Sequence, residues 1–259
     1  MSDQWLERTW RPYGVADPYY AVLAEDRYRK NRFDETARRE FFKSGEEHIE
    51  WVLSNIRRSI DPTFTPTKAL DFGCGVGRLV LPLSRIAREV VGADVSPTML
   101  AEAQRNVDAE GASNVKLVLS DDSLQSHGTG FDLVHSYIVI QHIPPERGEA
   151  IFMGLADKLK PGGVGALHVT YAREAPTVRK VVHQLRKSVP GVNAVVNLAQ
   201  GQRAAEPMIP MFNYKLENIL EGLRERGCES VHMLLTDHGG HHGAMVLFQV
   251  AKDGPRRVP

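Results

Sequence analysis
The chain has 259 residues, and Lys plus Arg equal Asp plus Glu at 32 each, so the formal net charge is zero. A balanced charge provides no field to draw the molecule onto nucleic acid or an anionic membrane, and the length suits one α/β domain with embellishments. Two cysteines, Cys74 and Cys228, give neither a disulfide framework nor a metal quartet; with no apolar leader-like run at the start and no span of ~18 apolar residues, a cytoplasmic protein without a membrane segment is expected.

Residues 1–60 read as an aromatic-rich helical arm. Ten aromatics, among them Trp5, Trp10, Tyr19, Tyr20, Phe41 and Phe42, crowd residues 5–51, and Pro12 and Pro18 break the early part into short pieces. Such a segment can pin itself to a core or cover an organic substrate, since substrate pockets are mostly apolar and aromatic. Ser44 and Glu47 have capping-box spacing ahead of an apolar face of Ile49, Val52, Leu53, Ile56 and Ile60, so a helix is expected to start there and end at Asp61-Pro62.

The next stretch organises the chain. Ala69 to Phe72 form a short apolar run carrying one acid, Asp71, followed by Gly73, Gly75 and Gly77 and then by helical spacing through Leu79, Val80, Leu83 and Ile86. A strand, a Gly-rich turn and a helix make the first βα unit of a doubly wound sheet, with free N–H groups at the turn. Arg78 stands where the dinucleotide fingerprint needs its third glycine, which disfavours NAD. Asp71-Phe-Gly-Cys-Gly-Val-Gly-Arg78 resembles motif I of the class I S-adenosylmethionine (SAM) dependent methyltransferases, which implies a Rossmann-like seven-stranded sheet with an antiparallel last strand, SAM as cofactor and S-adenosylhomocysteine as product.

Glu89 to Val95 read as the second strand. Asp94 lies near the position of the acid that takes ribose hydroxyls in such sheets, and Ser96-Pro97 open a helix that Gly111 closes. Met99 can cover an adenine face or serve as core. Val115 to Leu119 form the third strand, and the resemblance makes Asp121, with Asp122 behind it, the acid for the adenine amino group; Asp-Asp-Ser is equally ordinary turn chemistry. Phe131-Asp-Leu-Val134 resembles motif IV, and Leu159-Lys-Pro-Gly-Gly163 resembles the turn before strand five, Val164 to Tyr171. The family-like core thus runs over 61–172. On the resemblance, Asp71 and the backbone around Ser136 and Tyr137 cradle the sulfonium, and Phe72, Cys74, Gly77, Arg78, Val95 and Gln141 complete the cofactor set.

Residues 173–212 read as a lid insertion, with helical spacing over 177–189, and 213–251 as a helix and two strands completing the sheet, before a tail at 252–259. Methyl transfer to a hydroxyl needs alignment, exclusion of water and removal of a proton. His142, just past strand four, resembles the base of some sugar and natural-product O-methyltransferases, and Tyr171 is a second catalytic candidate. Asp237, His238, His241 and His242 sit in a Gly-rich loop without the fixed geometry a metal wants, so no metal is assigned. An Asn/Asp-Pro-Pro-aromatic motif for nucleobase amines is absent after strand four, where His135-Ser-Tyr-Ile138 stands. The expectation is methylation of a small organic acceptor, most simply at oxygen of a sugar or secondary metabolite. N- or C-methylation, a SAM-fold protein without methyl transfer, and a homodimer stay open.

Overall fold
The computed structural model describes residues 15–174, 191, 192, 195, 196 and 210–252. Seven strands form one sheet in the order β3-β2-β1-β4-β5-β7-β6. They are β1 (Lys68–Phe72), β2 (Glu89–Asp94), β3 (Val115–Leu119), β4 (Phe131–Ser136), β5 (Leu159–Arg173), β6 (Cys228–Asp237) and β7 (His241–Val250). The first five pair in parallel, whereas β7 runs antiparallel to both β5 and β6. The order reverses between β1 and β4, and ligands of open α/β sheets bind beyond the carboxyl ends of the strands at such a switch point. The predicted three-layer, Rossmann-like sheet with an antiparallel last strand is the one found.

Among the described residues the α-helices are α1 (Pro18–Val22), α2 (Glu35–Ser59), α3 (Val80–Ser84), α4 (Pro97–Ala109), α5 (Pro145–Ala156) and α6 (Leu216–Glu225). Two apolar clusters fill the sheet's two faces. One is built on Leu70, Val134 and Leu167 with Phe152 and Ile219, the other on Ala69, Val90 and Leu133 with Val52 and Ile56. A third belongs to the arm: Phe41 is fully buried, with the rings of Tyr19, Tyr28 and Phe42 edge-on at 5.2, 5.2 and 5.3 Å. The aromatics around Phe41 therefore pin α1 to α2.

Several boundaries differ from expectation for identifiable reasons. Helix α2 starts nine residues before Ser44, at an Asp34 cap whose carboxylate accepts from the Ala37 N–H at 2.8 Å. Ser44 is mid-helix, its hydroxyl donating to the Phe41 carbonyl at 2.6 Å. Helix α3 has only five residues and stops before Ile86, which is exposed. Strand β5 begins at Leu159 because that residue already pairs with Phe131; the Lys-Pro-Gly-Gly segment forms an irregularity before Leu133 meets Val164. The strands β6 and β7 run almost to their turn, which leaves His238 to Gly240 as the bend. The expected helix over 177–189 and Trp5, Trp10 and Tyr13 lie outside the described residues.

Candidate active site
The glycine loop is held to β2 by its own backbone. The Gly73 and Cys74 N–H groups both donate to the Ala93 carbonyl, at 2.7 and 3.0 Å. Gly73 has φ +76°, and a Cβ there would lie 2.3 Å from a Val139 methyl. At Gly75, φ +54°, a Cβ would come within 2.8 Å of Val22 on α1. Only glycine combines the left-handed backbone with room for neighbours on both sides. Above the loop lies a cavity of about 650 Å³, within the usual range for small-molecule sites.

Asp94 stands at the tip of β2 on the cavity wall. Its two carboxylate oxygens accept from the Gly75 and Ser96 N–H groups at 2.9 Å each. Burial pushes its pKa up to about 6 against the lowering effect of those N–H groups. Phe72, Gly73, Gly75, Val95 and Met99 share this wall. Asp121 and Asp122 edge the same cavity. The Ser123 hydroxyl and N–H donate to Asp121 at 2.6 and 2.9 Å and hold its pKa below the usual value, and Asp122 pairs with Arg147.

The remaining predicted residues serve from behind or elsewhere. Asp71 does not reach the cavity; one oxygen accepts from His135 Nδ1 at 2.9 Å, and the other is buried without a partner. Cys74 is buried facing β2, where burial raises its pKa. Gly77 packs against Ala103 of α4. Arg78 crosses to α2, donating to the Ser44 hydroxyl at 3.2 Å, and its carbonyl lies where a Cβ on Gly45 would come within 2.3 Å. Arginine in place of a third glycine thus staples α2 to the loop. Ser136 donates to the Phe72 carbonyl at 3.0 Å and ties β4 to β1 rather than facing a ligand. Tyr171 lies outside the cavity wall, packed against the core near the His242 ring.

Tyr137, Gln141, His142 and His238 bring polar groups to the cavity, which Met211 and Gly239 also line, while Val22 of the arm lies over the glycine loop with Ala21 and Leu23 beside it. Gln141 accepts from the Thr170 hydroxyl at 2.7 Å. His142 Nδ1 donates to the Pro210 carbonyl at 2.8 Å, and its Nε2 lies 3.3 Å from the Gln141 amide nitrogen; burial lowers its pKa to about 4. Between Tyr137 and Val139 the chain takes φ +59° at Ile138, a strained conformation for a β-branched residue and of the kind held at functional sites.

Sequence reasoning missed His48 and His135. They meet at 3.1 Å, Nε2 to Nε2, and His135 is held by Asp71 on its other side. The His48 ring lies 3.9 Å from that of Tyr137, centroid to centroid. No local pattern announces this group, because its members lie 64 and 87 residues apart. Among the described residues no three or more His, Cys, Asp or Glu side chains are placed to hold a metal ion.

The site fits a nucleoside whose ribose hydroxyls donate to a carboxylate. Asp94 keeps acceptor capacity beyond its two N–H bonds, the glycine cradle excludes any Cβ, and Asp71 offers an unmet buried oxygen behind it. The "Methyltransferase domain" family model matches residues 69–163. An uncharacterized methyltransferase of Synechocystis is 37% identical over 100 residues, 39% of this chain and 45% of the relative. A ubiquinone biosynthesis O-methyltransferase of Cereibacter sphaeroides is 31% identical over 101 residues, 39% of this chain and 40% of the relative. The chain thus spans less than half the length of these two relatives. Among solved structures, magnesium protoporphyrin IX methyltransferase from Synechocystis with bound S-adenosylhomocysteine superposes with a TM-score of 0.67 at 19% identity, covering 96% of this chain and 99% of that one, a likeness of fold. Residues 69–163 are thus similar in sequence to a methyltransferase domain, and the whole chain is similar in fold to a solved methyltransferase.

Proposed function
We propose that the protein transfers a methyl group from SAM to an oxygen of a small organic acceptor such as a sugar or secondary metabolite. The observation that carries this reading is the single cavity that joins the Asp94 and glycine-loop wall to the polar groups of Tyr137, Gln141, His142 and His238. SAM supplies an electrophilic methyl on a cationic sulfur. Asp94 takes the ribose hydroxyls, Phe72, Val95 and Met99 flank the adenine, and Asp121 at the rim accepts from its amino group. The Asp71 side chain lies buried behind the loop, bonded to His135. The arm residues Ala21, Val22 and Leu23 exclude water, so the described part of the arm serves as a cover over the core.

His142 acts here by orientation. It is neutral at pH 7 and bonded through Nδ1 to Pro210, so its fixed ring positions Gln141 and one side of the acceptor. Zero net charge fits a small acceptor better than a polyanion. Two free cysteines fit a cytoplasmic setting. The test is product formation: purified protein with SAM is offered sugars, phenols and carboxylates in parallel with an RNA oligonucleotide. S-adenosylhomocysteine should accumulate with a small hydroxylated compound and carry its methyl on oxygen. Turnover with the RNA alone would overturn the reading.

A further inference from the structure
We propose that Tyr137 and His238 together take the proton from the acceptor hydroxyl. This rests on the O-methylation reading and names the groups that complete it. Tyr137 follows β4 directly, at the switch point, and both side chains face the cavity. The Tyr137 hydroxyl lies 3.3 Å from His238 Nε2. The phenol donates to that nitrogen, which turns the lone pairs of its oxygen toward the acceptor.

The surroundings fix this pair in one arrangement. Asp71 accepts from His135 Nδ1, and His135 Nε2 meets His48 Nε2 at 3.1 Å. His48, so oriented, stacks on the Tyr137 ring. On the other side His168 lies 5.2 Å from Tyr137 and 5.3 Å from His238, ring to ring, and is itself fixed 2.8 Å from the Thr236 hydroxyl. Gly243 makes room for this: a Cβ there would stand 2.4 Å from His168 Nε2. The strained Ile138 then carries the chain from Tyr137 toward the glycine loop.

The step balances. The acceptor O–H bond breaks as its oxygen attacks the methyl carbon, and the carbon–sulfur bond breaks with its electron pair left on sulfur. The proton passes to the Tyr137 oxygen while the Tyr137 proton passes to His238 Nε2, leaving an imidazolium. Groups facing His238 are Tyr137 after β4, His168 on β5, His48 on α2, His241 on β7 and the neighbouring Asp237. Burial lowers the His238 pKa and Asp237 raises it in part, so the ring is unprotonated and able to accept at neutral pH. His142 is worse placed, because a proton on its Nε2 would displace the Gln141 amide.

The test uses 4-nitrophenol, whose ionised form is coloured, added to protein saturated with S-adenosylhomocysteine. A proton-accepting pair ionises the bound probe at a pH where the free probe is neutral. We expect an ionised fraction raised about tenfold over free probe, equivalent to about one pKa unit, in wild type and in Tyr171→Phe, and lost in Tyr137→Phe and His238→Gln. Calorimetric binding of S-adenosylhomocysteine by each variant shows that it is folded and that the cofactor reading stands by itself. No ionised probe on the wild-type protein, or a shift abolished by His142→Gln and kept in His238→Gln, would overturn the proposal.

Discussion

The two ends of the cavity are built in different ways. At the end proposed for the cofactor, the residues come from contiguous segments: Gly73 to Gly77 lie on one loop, and Asp94 to Met99 on the next strand and helix, with backbone N–H groups filling most of the contacts. At the acceptor end, side chains from α2, β4, β5 and the β6–β7 turn converge, and nearly all are imidazole or phenol. A site for a constant ligand can be written into one motif, because the backbone supplies its donors. A site for a particular acceptor must be assembled from distant side chains, and fold alone does not specify it.

Changes at the cofactor end should give the larger effects. Asp94→Ala removes acceptors for the ribose hydroxyls and for the Gly75 and Ser96 N–H groups. Hydrogen bonds to a charged group contribute about 1.5–3 kcal/mol, so SAM affinity should fall at least ~10-fold by calorimetry. Gly73→Ala places a Cβ against Val139 at φ +76°. It should destabilise the fold by about 1–3 kcal/mol in urea titration and weaken SAM in parallel. Unchanged cofactor binding in both variants would erase the contrast between the two ends.

The acceptor end should show itself in pH dependence instead. Burial lowers the pKa of His48, of His168 to about 3 and of His142 to about 4, and likewise of His127, bonded to Ser120, to about 4. These rings are neutral in the fold and titrate near the ordinary value of about 6.5 when unfolded. The unfolded chain therefore binds more protons below that value, and stability is complete above it and lost as pH falls toward the folded values. Asp94, raised to about 6, works the other way over the acid range but is one group against four. Thermal midpoints should drop steadily between pH 7 and pH 5, and His168→Gln should flatten the slope. A pH-independent midpoint would contradict the burial of these rings as neutral groups. The smallest effect belongs to the surface: Arg85→Ala, which breaks exposed pairs with Glu46 and Glu110, should cost no more than about 1 kcal/mol.

The same contrast decides what was legible in the sequence. The glycine loop, Asp94 and the Ser96-Pro97 start could be read because each is a local requirement of backbone geometry. The Ser44 capping box misled because its spacing also occurs inside a helix; the true start at Asp34 carries its own cap. Asp71 and Ser136 lie at the right strand ends, but their side chains bond within the protein. The His48 and His135 contact could not be read, since helix and strand packing alone brings together residues 87 apart. His238 was visible only as one of several histidines in a Gly-rich turn, and the strand pairing of β6 with β7 decides where it points.

On the proposed reading, the glycine loop and Asp94 form a nucleoside site for SAM, independent of the imidazole end. Calorimetric titration of S-adenosylhomocysteine, with NAD as the competing ligand, tests it most directly. Binding of S-adenosylhomocysteine and not NAD is expected, at least ~10-fold weaker in Asp94→Ala and unchanged in His238→Gln. Equal binding by Asp94→Ala, or heat from NAD alone, would contradict it.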